Sequence, residues 1–344
     1  MKKQVVEIKD IDKQYYESEL KDFLPKEIID IHTHVYYAKF RAEKRESHNV
    51  TWTQLVAKEN PIEDIKETYK AMFPGKNVTP VIFSNLSSKN DDFEKGNNYI
   101  KECSEKHNYP ALYFARPTES AKKIEEKLIK ENFSGLKVYL SLSDASISSE
   151  DITIFDFLPH HQLEVLNKHN AIAMLHIPRS GRLKDPINLE QMLIIEERYP
   201  KVKLIIAHIG RAYCTEDMGD AFERLSVTEN MLFDFSANTN EHVFEELIKR
   251  VGPKRILFGS DLPITRMRMR RECENGKYIN IVPPGLYGDT SKDPNMREVT
   301  PEEGEKLSFF LYEEIAAFKR AAKKLNLTRQ DIEDIFYNNA KRIL

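Results

Sequence analysis

No apolar run in this chain approaches the roughly 20 residues that a spanning helix needs, so no membrane partner is expected. A strong charge of one sign is missing too. Lys and Arg number 52 against 55 Asp and Glu, a formal net charge of -3, which gives no general pull toward nucleic acid or anionic lipid. Cysteine is scarce. Cys103, Cys214 and Cys273 are odd in number and far apart, which argues against a disulfide framework and predicts a reducing, cytoplasmic setting. The N-terminal "MKKQVVEIKDIDKQ" runs into charges rather than an apolar stretch, so it does not read as a signal peptide. There is no internal repeat and no low-complexity tract. No glycine-rich turn follows the first β-type run, which counts against a dinucleotide-binding open sheet.

What is present is a globular balance, 40% hydrophobic and 31% charged over 344 residues. That length suits two average domains or one α/β barrel. Eight β-type runs recur, at 27–34, 78–85, 110–117, 135–142, 171–178, 203–210, 231–238 and 255–263. Amphipathic segments such as "ESAKKIEEKLIKEN" and "TNEHVFEELIKRVG" lie between them, with apolar residues three to four apart. Several runs are almost continuously apolar, as strands are when both faces of a parallel sheet are covered. The alternation predicts a single (β/α)8 barrel over residues 1–344. Three segments exceed its needs: an N-terminal lead (1–26), a long first connection (36–77) and a longer one after the last strand (264–299). The last is expected to be an ordered lid, since connections beyond about 12–15 residues are usually functional or disordered. Beyond it, Thr300 and Glu303 have capping-box spacing around Pro301, which opens a helix.

Barrel active sites sit at the carboxyl ends of the strands. Strand one ends "DIHTH", and a strand puts His32 and His34 on one face. Strand five ends in His176, strand six in His208 and strand eight in Asp261, while Lys137 lies in strand four. Each histidine alone reads as a satisfied core residue. Together, four of the ten histidines fall at strand ends, and the others (His48, His107, His160, His161, His169, His242) fall in loops or helices with surface roles. Imidazoles and a carboxylate converging on one rim suit Zn²⁺ or a similar divalent ion.

The ordered set "DIHTH", "GLKVY", "LHIP", "AHIG", "ILFGSDLP" and "NNAKRIL" resembles the amidohydrolase superfamily, in its amidohydrolase-2 branch of lactone hydrolases and aromatic-acid decarboxylases. The resemblance runs from residue 27 to 344 and implies His32, His34, His176 and Asp261 as metal ligands, with Asp261 also transferring protons. It makes His208 either a ligand to a second metal or a residue beside the substrate, and Lys137 a metal bridge or a substrate contact. Where relatives often carry a glycine pair after strand six, this chain has "HIGRAY".

Such a site predicts a metal-dependent hydrolase of a lactone, ester or amide, because a divalent ion lowers the pKa of water from about 16 to about 7. Asp261 would accept the proton, and His208 would help polarise the carbonyl. Decarboxylation of a small carboxylic acid is the alternative, and a silent binding barrel is a third reading. One ion is expected, because Tyr139 and the apolar neighbours of Lys137 add no carboxylate to support a bridge. Arg116, Arg179 and Arg211 follow strands three, five and six, and their guanidinium forks suggest a small anionic substrate, with Tyr139 beside it. Pro178 biases Ile177 toward extended geometry, so strand five is expected to deliver Arg179 over the metal. The "RMRMRR" cluster at 266–271 reads as a solvated or subunit-contact face, which leaves a homo-oligomer open and nucleic acid disfavoured.

Overall fold

The β-type runs become short parallel strands arranged in a ring. The computed structural model describes residues 5–42 and 52–344. The strands are β1 (Glu27–His34), β2 (Asn77–Phe83), β3 (Leu112–Phe114), β4 (Gly135–Val138), β5 (Ile172–Leu175), β6 (Lys203–Ile206), β7 (Leu232–Asp234) and β8 (Ile256–Leu257). β3 to β8 pair in order, and β1 pairs with β2. Backbone bonds join the two sets. Ile82 N donates to Pro110 O at 2.9 Å, Ile31 N to Phe258 O at 3.0 Å and His34 N to Leu262 O at 2.9 Å. The expected (β/α)8 barrel is therefore present. No helix among the described residues is long and apolar enough to cross a membrane.

Alternate residues divide the apolar load. Ile29, Ile31, Val81, Phe83, Ile172, Met174 and Ile205 fill the interior, with Ala340 and Ile343 among them from the last helix. The intervening Ala173, Leu175, Leu204 and Ile206 belong to the layer between strands and helices. Helix starts follow local chemistry. Asp185 caps Pro186–Arg198 by accepting from Ile187 N and Asn188 N, with Pro186 in the first turn.

β1 carries one irregularity that matters. Asp30 pairs with Pro80, yet Thr33 pairs with Ile82, so β1 has one residue more than β2 across this step. A bulge of this kind reverses the in–out alternation and re-aims side chains. Ile29 and Ile31 point inward below it, and above it His32 and His34 turn to the interior instead.

Several expectations need correction. Most strands end earlier than the apolar runs do. The run 203–210 stops at Ile206 because His208, Ile209, Gly210 and Arg211 all take positive φ (51° to 62°) and turn the chain back. The helix begun at Thr300 ends at Gly304. The chain then extends, because Met269 N donates to Ser308 O and Phe310 N to Met267 O, and a second helix runs from Phe310 to Lys324. The 264–299 segment is ordered, as expected. It forms β9 (Arg270–Glu274) and β10 (Lys277–Val282), a hairpin turned at Asn275–Gly276, with β11 (Met296–Glu298) parallel to β10. The left-handed φ values of Asn275 and Gly276 (51° and 73°) are those of a tight hairpin turn.

The arginine cluster is not a solvated face. Arg266 donates to Thr68 and Asn60, and Arg271 to Asn280 and Ala237 O. Arg268 lies buried on Asp12 of the N-terminal lead, at 2.9 and 2.6 Å. Only Arg270 keeps an exposed partner, Glu272. The cysteine reading is corrected as well, since Cys214 is joined to Cys273 in a disulfide. Spacing could not reveal it, because the pair meets only when the lid folds back over the strand-six loop. With it goes the cysteine argument for a reducing compartment.

Asp12 and Arg268 are both removed from water, and losing one partner of such a pair leaves a buried charge uncompensated. Arg268→Met is expected to cost about 3–5 kcal/mol, read as a large fall in melting temperature. Asp12→Asn combined with Arg268→Met should recover part of that loss. A single variant as stable as the parent would show that the pair does not tie the lead to the lid.

Candidate active site

The site is built where the bulged end of β1 meets the loop after β8. Gly259 permits the approach, for a Cβ there would lie 2.9 Å from the Cβ of His32. Asp261 N then bonds to His32 O at 2.9 Å, and Asp261 adopts φ 55°, a conformation aspartate tolerates better than most residues. Its Oδ1 comes within 3.4 Å of His34 Nε2 and 3.6 Å of His32 Nε2.

The other ring nitrogens explain why this cluster is unusual. His32 Nδ1 lies 3.0 Å from Asp234 Oδ2, and His34 Nδ1 lies 3.1 Å from Ser84 O. Each of those partners accepts hydrogen bonds only, so each Nδ1 carries a proton. His32 Nε2, His34 Nε2 and a carboxylate oxygen therefore face one another, with Lys137 Nζ beside His32 Nε2. The donor set fits a divalent ion. The ligand atoms of His32, His34 and Asp261 all lie within 4.8 Å of one another.

Asp234 and His208 stand at a similar distance from His32, but Asp234 is already saturated. Its oxygens accept from His32 Nδ1, His208 N and Ser236 N and Oγ. It acts as a support behind the rings. His208 Nδ1 rests 2.8 Å from Ser236 Oγ, which in turn donates to Asp234. His208 Nε2 is thus left as an acceptor.

His176 is not in that tight group but lines the same cavity. Its ring lies 5.4 Å from His208 and 5.0 Å from Tyr139. Its Nδ1 is buried and has no hydrogen-bond partner. Lys137 is buried with Nζ 3.4 Å from His32 Nε2.

Burial sets the charge states. It pushes His32 down to about 3, helped by the Lys137 charge and opposed by Asp234. Burial and then Arg211 push His176 well below its usual value, and burial lowers His208. Neutral imidazoles result, as metal ligation requires. Lys137 falls to about 8 through burial, with Asp234 and Asp261 resisting. For Asp261 burial acts upward, but the surrounding His34, His208 and His32 rings act downward and prevail, so it stays an ionised carboxylate.

The cavity above these groups has a volume near 310 Å³ and is also lined by Tyr36, Arg41, Asn85, Ser87, Tyr139 and Tyr213. The arginines expected here mostly lie elsewhere. Arg116 covers the Phe93 ring at 4.0 Å, outside this cavity. Arg179 takes φ 62° and turns away from the rim, donating to Asp185 Oδ1 and Glu150 O. Arg211 stands behind the wall, its NH1 on Arg179 O at 3.2 Å. Arg41, from the long first connection, lines the cavity instead and stacks on Tyr36 at 4.0 Å. Sequence reasoning missed it, because nothing in that connection marks one residue above another. Asp234 and Ser236 were also missed, although polar residues two apart at the end of an apolar run were a usable signal. His48, expected at the surface, lies outside the described residues.

Comparison with known proteins places these residues in context. The amidohydrolase family model matches residues 29–344. No curated protein matches the sequence. Among solved structures, a probable 2-pyrone-4,6-dicarboxylic acid hydrolase from Acinetobacter baumannii is similar at 14% identity and TM-score 0.56, over 92% of this chain and 98% of its own. A 2,6-dihydroxybenzoate decarboxylase from Rhizobium aligns at 13% identity and TM-score 0.53, over 93% and 98%. A 4-oxalomesaconate hydratase from Rhodopseudomonas palustris aligns at 14% identity and TM-score 0.54, over 92% and 95%. At such identities the likeness is one of fold.

Two outcomes are expected. Asp234→Asn should weaken divalent-metal affinity about 10- to 100-fold, the usual effect of removing a carboxylate that orients a ligating histidine. Titration calorimetry measures it, and an unchanged affinity would place Asp234 outside the metal support. The second concerns Glu314, fully buried behind β7, where its Oε2 accepts from Ala237 N at 2.6 Å. Burial, with Asp30, Asp234 and Asp261 nearby, holds its carboxyl well above the usual range. A group raised on folding contributes fully below its unfolded value, about 4.3, and that contribution is lost as pH rises. Glu314→Gln should therefore match the parent near pH 4 and become progressively the more stable protein toward pH 8. A stability difference that stays flat with pH would refute the assignment.

Proposed function

The chain belongs to the amidohydrolase family, and from that premise we propose a metal-dependent enzyme that hydrolyses a small anionic lactone, ester or amide. One observation carries the reading: His32 Nε2 and His34 Nε2 converge with Asp261 Oδ1 at the floor of a small cavity. His32, His34, His176 and Asp261 would hold one divalent ion, with Zn²⁺ preferred by the imidazole-rich donor set. A bound ion would supply Lewis-acid polarisation of a substrate or water oxygen.

The chain's own groups do the rest. Asp261, held ionised, begins as a proton acceptor, and this supports hydrolysis over decarboxylation, in which it would have to begin as a donor. His208 is expected to take a proton at Nε2, because its Nδ1–H is spent on Ser236; it is poorly suited to polarising a carbonyl. Lys137 is the buried cation available to negative charge developing near His32. Arg41 is the arginine suited to hold an anionic group in the cavity, with Tyr139 and Tyr213 on its walls.

The test is metal analysis of protein purified without chelator, followed by assays on lactones, esters, amides and aromatic acids with hydrolysis and CO₂ release read separately. Release of CO₂ without any hydrolysis would replace this reading with the decarboxylase. For a carboxylate-bearing substrate, Arg41→Met should lower kcat/KM about 10- to 150-fold, the worth of about 1.5–3 kcal/mol for a charge-assisted hydrogen bond. Metal content should not change, and Arg179→Met should have little effect on kcat/KM. The reverse ranking of these two variants would return the anion site to the strand-five loop.

A further inference from the structure

We propose that the Cys214–Cys273 disulfide is a redox-sensitive staple, through which a thiol reductant loosens the β9 edge of the lid hairpin from the wall of the cavity. The bond joins two connections that are unrelated in sequence, 59 residues apart. Cys214 lies in the loop after β6, next to Tyr213, which lines the cavity, and six residues past His208. Cys273 lies in β9 of the lid, with its Sγ 3.3 Å from Tyr213 O.

The two ends are held very differently. Cys214 is fully buried, and its N–H donates to Asp217 Oδ2 at 2.8 Å, the same carboxylate that Arg182 binds. Without the bond, this turn keeps its own anchors. β9 has none of comparable strength. Not one of its five residues is buried, and Cys273 itself is exposed. Its remaining side-chain holds are Arg271, packed 4.6 Å from the Tyr213 and Phe310 rings with one bond to Ala237 O, and the exposed Glu274–Arg297 pair, while Tyr278 of β10 meets Tyr213 at 5.1 Å. Segments with little apolar burial open at the low end of the stability range, so a covalent link here has a large local effect.

Exposure also fixes the chemistry. An external thiolate attacks the accessible Cys273 Sγ, the S–S bond breaks, and Cys214 leaves as a thiolate that takes a proton. A second external thiol resolves the mixed disulfide. The protein gains two electrons and two protons as two thiols, and the reductant becomes its own disulfide. The outcome is a β9 edge that has lost its covalent link to the wall and is held there by Arg271 and by the Tyr278–Tyr213 ring contact of β10.

Peptide mapping of protein alkylated before lysis, without reductant, is expected to yield a linked Cys214–Cys273 peptide with Cys103 alkylated or protected as a free thiol. Hydrogen exchange after dithiothreitol should then rise several-fold in residues 270–278 while the barrel strands are unchanged. Cys273→Ser, at an exposed position, should show that faster exchange from the start and ignore dithiothreitol, which separates loss of the bond from any effect of the dithiol on metal. Cys103→Ser should behave as the parent. Absence of the linked peptide, or a hairpin whose exchange is the same before and after reduction, overturns the proposal. None of these readouts needs a substrate, so failure of the hydrolase reading would leave the test intact.

Discussion

The convergence of His32, His34 and Asp261 on one point is the constraint around which the rest of this structure is arranged. The three are kept together by bonds made on the far side of each group. Asp234 fixes His32, Ser84 O fixes His34, and the Asp261 backbone is pinned to His32 O. Each support is buried or in the backbone, where it is exposed to little competition from water. The fold meets the electrostatic cost of bringing these groups together. Burial lowers His32, His176 and His208 alike, which keeps those three rings neutral.

The supports reach further than the cavity. Asp234 bonds to Ser236, Ser236 to His208, and the adjoining Ala237 N to the buried Glu314 on the helix Phe310–Lys324. Arg271 of the lid donates to Ala237 O. One short turn after β7 thus receives bonds from the clustered imidazoles, from a barrel helix and from the lid. Left-handed residues gather at these strand ends, among them His208, Arg211, Ala237 and Asp261. Strain of this kind persists where the surroundings over-determine it, and here the surroundings are the site itself.

The lid is held by long-range ties as well as by its own buried cluster of Met267, Met269, Val282, Tyr287 and Met296. Arg268 reaches back to Asp12, Arg266 to Asn60, and Cys273 to Cys214. Asn60 also donates to His34 O at 2.7 Å, so the lid's base touches the strand that carries two of the candidate ligands. Substrate access and ligand placement therefore share structural parts.

The sequence by itself determined the barrel, since eight apolar runs alternating with amphipathic segments have few other ways to bury both faces of each strand. It also determined the principal candidates, because polar residues at the ends of apolar runs are costly to bury without a purpose. The tertiary structure decided what local pattern could not carry. The β1 bulge, a register relation with β2, turned His32 and His34 inward. Positive φ at Arg179 sent its guanidinium to Asp185, although Pro178 had favoured an extended approach to the rim. Arg41 entered the cavity from a connection with no periodic signal, and Arg268 found a buried partner 256 residues away. Cys214 and Cys273 became neighbours only once the lid had folded over the barrel. Spacing along the chain reports which face a side chain occupies within its own element. Which partner waits on that face depends on how distant elements come together.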